Sequence, residues 1–229
     1  RVGVFGVIQS PAVIKNFILD ESCTIETTDN YAGIIGSAWG ANGPVCMENL
    51  GMEGTIRLGG YNGGGIIGNN QKSVATLHMK NCYVAGNVIA EGGYSGALTG
   101  WAGYNAVFEN CWVIGQITGT DNEGAYFVRG MESGTITNCY SKIGTQAITI
   151  TDEQVANGEL CYKLNGDQST IVWYQNIGED LYPVLDSTHK TVVMNAGGNY
   201  ENASGEGIQS PDFQIGIHDE IYDLSGRKV

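Results

Sequence analysis

The chain has 229 residues, enough for one elongated or two compact domains with a substantial core, and its 11 Lys plus Arg against 24 Asp plus Glu leave a formal charge of -13. That charge repels nucleic acid and anionic membrane surfaces, so neither is an expected partner. Thirty-five glycines with only four prolines, in a chain that is 42% hydrophobic, argue for turns and close strand approaches rather than for disorder.

No apolar run reaches the length of a membrane span, and no charged segment followed by an apolar one opens the chain. Arg1 stands inside a strand-like pattern, RVGVFGVI, as expected of a piece cut from a longer precursor. Five segments then repeat one pattern: VIKNFILDESCTI from Val13, VCMENLGMEGTI from Val45, LHMKNCYVAGNVI from Leu77, AVFENCWVIGQI from Ala106 and TITNCYSKIG from Thr135. Their asparagines, Asn16, Asn49, Asn81, Asn110 and Asn138, stand 33, 32, 29 and 28 residues apart. A period near thirty predicts a stack of rungs, each burying its core only against its neighbours.

Within each repeat the side chains alternate as in a strand. Ile14, Met47, Met79, Phe108 and Ile136 are expected inside. Lys15, Glu48, Lys80, Glu109 and Thr137 are expected outside, as a charge ladder that controls register. Each Asn breaks the alternation, as at a corner where stacked amides bond from rung to rung. Cys82, Cys111 and Cys139 follow in one column. Stacked neighbours about 4.8 Å apart with parallel Cβ vectors suit reduced, buried thiols better than disulfides. A metal site is not expected, because the chain has no C-x-x-C pair and no histidine at ligand spacing.

Gly54, Gly86, Gly115 and Gly144 mark the next turn, and Ile56, Val88 and Ile117 begin a further strand. A third follows in YAGIIG, NGGGIIG, YSGALTG and NEGAYFV, with Gly36, Gly68 and Gly100 spaced 32 apart. Three short strands per turn predict an all-β fold, a parallel β-helix of four to five turns over residues 1–147. Residues 148–190 read as a cap, with a helix from Thr151 or Asp152 to Leu164 and a stop at Gly166. Residues 191–229 read as C-terminal strands, Thr188 to Met194 and Asp212 to Val229, around a loop from Asn195 to Gly207.

The G-[AGV]-[LIF]-[TIF]-G and N-C-[YW]-x-x-G arrangement resembles the GLUG-type repeats of bacterial surface proteins, over about Val2 to Gly144. The resemblance implies a right-handed parallel β-helix and an extracellular role in adhesion or substrate attachment. Ile150 to Asp186 resembles a segment that follows such repeats in gut Bacteroidetes, and IYDLSGRKV (Ile221 to Val229) resembles an ending common in secreted proteins of that phylum. These resemblances imply a secreted or outer-membrane-associated, cell-surface location, and they carry no catalytic residue. The first repeat departs from the pattern, lacking the Cys and aromatic after Asn16.

The candidate ligand-binding residues are Tyr83, Trp112 and Tyr140, two after each Asn, which strand alternation stacks on the outside of adjacent rungs as a platform for sugar rings. Asn105, Asp121, Asn122 and Glu123, in neighbouring loops, would supply hydrogen bonds. The alternative is that the three aromatics are packing, covered by the C-terminal region with its Ile171-Val172-Trp173-Tyr174 segment. For an enzyme, the candidates are Asp29, Glu91, Asp121, Glu123 and Arg129, with Glu91 and Glu123 as stack neighbours; the three scattered histidines and the lack of a catalytic motif favour solvated loop charge. Asn202-Ala203-Ser204 and Asp186-Ser187-Thr188 match glycan acceptor tripeptides. Together these features point to a non-catalytic extracellular or cell-surface binding module, without cofactor or metal, whose partner is a glycan or a surface ligand. A fragment of a polysaccharide lyase or glycoside hydrolase, or a structural spacer, is the alternative.

Overall fold

The computed structural model describes residues 1–70, 76–119, 126–166 and 168–204. It is nearly all β, a parallel solenoid of about four turns with two short helices. Strand β1 (Phe5–Gln9) opens the chain. The first turn is β2 (Ala12–Leu19), β3 (Thr24–Thr27) and β4 (Ile35–Trp39), and the second is β5 (Val45–Met52), β6 (Thr55–Leu58) and β7 (Ile67–Asn70). In the third and fourth turns a corner splits the long strand, giving β8 (Leu77–Lys80), β9 (Tyr83–Val84), β10 (Asn87–Ala90) and β11 (Gly96–Trp101), then β12 (Ala106–Glu109), β13 (Trp112–Val113), β14 (Gln116–Gly119) and β15 (Tyr126–Val128). The last rung is β16 (Gly134–Thr137) and β17 (Tyr140–Ser141), on which β18 (Ile148–Thr149) stacks.

The register reproduces the asparagine steps: Ala12 pairs with Val45, Val45 with Leu77, Leu77 with Ala106 and Ala106 with Gly134. Ile25, Ile56, Val88 and Ile117 align in the second sheet. Met47, Met79 and Phe108 are buried and Ile14 and Ile136 pack beside them, as the alternation predicts. The glycine column between sheets is a matter of space: a Cβ on Gly86 would stand 2.0 Å from the Gly54 carbonyl oxygen, and one on Gly115 would stand 1.9 Å from that of Gly86.

All five corner asparagines are left-handed, with φ between 49 and 57°. Asn tolerates that region better than most residues, which explains its recurrence there. The amide ladder is built in two pieces rather than continuously. Asn49 donates to Asn16 at 2.9 Å and Asn138 to Asn110 at 2.8 Å, while the buried Oδ1 atoms of Asn49 and Asn81 have no partner. The charge ladder is likewise partial: Lys15 pairs with Glu48 at 2.5 Å, and Glu109 pairs with His78 at 2.8 Å. The six cysteines are free; Cys82, Cys111 and Cys139 are buried, and burial pushes the Cys111 thiol well up.

The single helix expected up to Leu164 is two, α1 (Asp152–Ala156) and α2 (Glu159–Asn165). Thr151 and Gln154 form a capping box on α1, and Gly158, at φ 89°, breaks the run. The expected loop after Met194 contains a strand: β19 (Val192–Met194) pairs antiparallel with β20 (Tyr200–Asn202). The cause is Asn195, whose Oδ1 accepts the amides of Gly197 and Asn199, both at 3.0 Å, and closes a tight turn. The expected strand at residues 212–229 lies outside the described residues.

The helices and hairpin pack along the flank of the stack rather than across its end alone. Asn165 knits them together, donating to the Trp173 carbonyl and accepting from the amides of Val172 and Trp173. The hairpin is tied in by Asn202, which donates to the Gln175 carbonyl and accepts from the Ile177 amide.

Candidate functional site

The register places Ile18, Gly51, Tyr83, Trp112, Tyr140 and Ile148 in one outward column. The Tyr83 ring lies over Gly51, where a Cβ would approach it to 2.4 Å, and stacks on Trp112 at 4.7 Å and 17°. Sequence reasoning therefore places these aromatics correctly on the outer face. The structure corrects their expected exposure: Tyr83 and Trp112 are 0% exposed and Tyr140 5%. Ile150, Val155, Leu160, Leu164, Trp173 and Val192 cover them in a second hydrophobic cluster, so they are not a surface for sugar rings. Trp173 lies 5.9 Å from Tyr83 and 6.0 Å from Trp112, and Tyr182 lies 5.4 Å from Trp112. The alternative reading, packing under the Val172-Trp173 segment, describes what this column does.

The other proposed binding residues do not gather around it. Asn105 sits one strand upstream of Trp112 in a left-handed turn, where its amide donates to Ser133 Oγ at 3.0 Å. Asp121, Asn122 and Glu123 lie outside the described residues, and with them the proposed Glu91–Glu123 pair. Asp29 is exposed at a strand end, and Arg129 is engaged with aromatic rings. Among the described residues no group of three potential metal-binding side chains occurs, and no helix is long and apolar enough to cross a membrane.

A different edge of the stack carries exposed aromatics. Tyr31, Asn62 and Tyr94 occupy equivalent left-handed positions, at φ 66, 60 and 57°, where the chain enters the β4, β7 and β11 strands. Tyr94 is 46% exposed, Tyr61 40% and Trp39 48%. The Tyr31 and Tyr61 rings meet edge to face at 5.6 Å, and the hydrogen bond between their hydroxyls pushes the Tyr31 phenol up. Two guanidinium groups sit on this edge. Arg1 lies over Tyr31 and Trp39, and Arg129 lies 4.3 Å from the Tyr94 centroid and 5.6 Å from that of Trp101. Arg129 also donates from Nη1 to Asn62 Oδ1 at 2.8 Å. Tyr61, Asn62, Tyr94, Trp101 and Arg129 line a groove of about 220 Å³. The sequence signal for this edge was the tyrosine that opens both YAGIIG and YSGALTG, and it was missed because the intervening turn carries Asn62 at that place.

A larger, more polar cleft of about 490 Å³ lies where the Asn corner meets α2. Lys80, Glu109, Asn110, Asn138 and Lys163 contribute to its walls. Asn138 donates to the Lys163 carbonyl at 3.1 Å, which ties α2 to the last rung. Lys163 pairs with Glu159, whose carboxylate holds the ammonium above its usual range.

Comparison with known proteins finds no family model that matches the chain, and no curated protein or solved structure with a significant match.

Proposed function

We propose that this chain is a non-catalytic binding or adhesion module of an extracellular or cell-surface protein, a rigid rod that presents one edge for recognition. The observation that carries the reading is the aromatic edge of exposed Trp39, Tyr61 and Tyr94 with half-buried Tyr31 and Trp101, braced by Arg1 and Arg129. Exposed aromatic rings with polar groups among them are the composition of binding surfaces rather than of inert ones. The resemblance of the repeats to GLUG-type surface proteins supports the same reading, as does the β-helix itself, whose fixed rungs hold loops at set spacing. A structural spacer is the second reading, favoured by the burial of the Tyr83–Trp112–Tyr140 column, which removes one candidate surface.

Incubation of the labelled wild-type chain with intact glycan-bearing cells and with a glycan array separates the two. Saturable binding to either is the expected result. Binding to neither makes the rod a spacer.

A further inference from the structure

We infer that the groove formed by Tyr61, Asn62, Tyr94, Trp101 and Arg129 takes one uncharged pyranose residue of a glycan, gripped through its apolar ring face; the inference rests on the binding-module reading. The rings are held before any ligand arrives. Arg129 lies over both Tyr94 and Trp101 and is fixed by its bond to Asn62 Oδ1 at 2.8 Å, and the Trp101 ring lies over Gly130, where a Cβ would approach it to 2.3 Å. Such preorganisation removes much of the ordering cost of binding.

The backbone points the same way. Tyr94 adopts φ 57°, a region that a bulky residue rarely takes and that the turn shares with Tyr31 and Asn62, and there it aims the ring away from the core. Tyr94 is 46% exposed and belongs to neither hydrophobic cluster of the solenoid. Asn62, a residue 7% exposed whose carboxamide is oriented by Arg129, is the neutral polar group among the rings, suited to a sugar hydroxyl.

Charge selects the ligand class. A chain of net charge -13 repels acidic polysaccharides at long range, and the Arg129 guanidinium, on one side of the Tyr94 ring, already donates to Asn62 Oδ1. Neutral glycans carry no such penalty, and stacking supplies their affinity.

The test is retention of the whole chain on an array of neutral and uronate-containing glycans, followed by titration with the best-retained oligosaccharide. The wild-type chain is expected to hold neutral glycans, and Tyr94→Gly and Tyr61→Ala are each expected to weaken binding by about tenfold or more. Tyr94→Gly is expected to keep or raise the melting temperature, because glycine adopts φ 57° without strain, a result that a merely structural tyrosine would not give. Unchanged binding in both variants, or preference for uronate glycans, overturns the groove while leaving the module reading intact. Binding to cells with no retention on the array does the same. Failure to bind either overturns both.

Discussion

Two aromatic columns run along this solenoid with nearly the same period and opposite fates. Tyr83, Trp112 and Tyr140 are buried under a returning segment, whereas on another edge Tyr94, of the Tyr31, Asn62, Tyr94 column, and its neighbour Tyr61 stay exposed. Stacking places side chains in both. What separates them is whether the chain comes back: after β17 the step falls from 28 residues to eight, Tyr140 pairing with Ile148, and the chain then leaves the stack to lie along the first column. An aromatic ladder on a β-helix is thus a docking strip for whatever apolar surface reaches it first.

The sharpest way to break this comparison is Trp112→Ala. It removes the ring shared by Tyr83, Trp173 and Tyr182, and a loss of about 3–5 kcal/mol in chemical denaturation is expected. A loss below about 0.5 kcal/mol, the range of ordinary surface changes, would mean that the segment does not pack there. Next in size is Asn110→Ala, which removes the Asn138–Asn110 amide bond and puts Ala at φ 52°, for about 1–3 kcal/mol. Asn110→Gly should lose less, because only the hydrogen bond goes; equal losses would remove the left-handed corner from the account.

Alkaline titration sharpens the comparison further. Burial and then the neighbouring Glu53 push the Tyr182 phenol up to about 12, and burial raises Tyr83, whose hydroxyl donates to Glu53 Oε1 at 2.6 Å. A raised folded-state pKa means stability fully present below the unfolded value near 10 and lost as pH rises through the folded one. The midpoint of chemical denaturation, followed by tryptophan emission from Trp112 and Trp173, should therefore fall as pH rises between about 10 and 12. A midpoint that stays constant across that window would contradict the docked cluster. The smallest effect is expected on the open edge, where Tyr61→Ala loses only the edge-to-face contact and hydroxyl bond to Tyr31 and should lower stability by about 1 kcal/mol.

Much of this was legible in the sequence. The asparagine steps gave the register, and alternation gave the inner columns Met47–Met79–Phe108 and Ile56–Val88–Ile117, because identical rungs repeat the same local physics. Exposure of the Tyr83 column was not legible in the repeat, since its cover comes from Ile150 to Val192, a stretch without period. The continuous amide ladder expected at Asn110 also failed locally, its link to Asn81 being absent because Asn81 Oδ1 stands unpaired. The left-handed tyrosine edge was obscured by Asn62, which shares the backbone conformation of Tyr31 and Tyr94 but not their side chain.

The most direct measurement is hydroxyl-radical footprinting of the wild-type chain, read residue by residue by mass spectrometry. Fast modification of Trp39, Tyr61 and Tyr94, with Tyr83, Trp112 and Trp173 protected, is the expected result. Modification of Tyr83 and Trp112 as fast as Tyr94 would contradict the covered flank and return the first column to the surface.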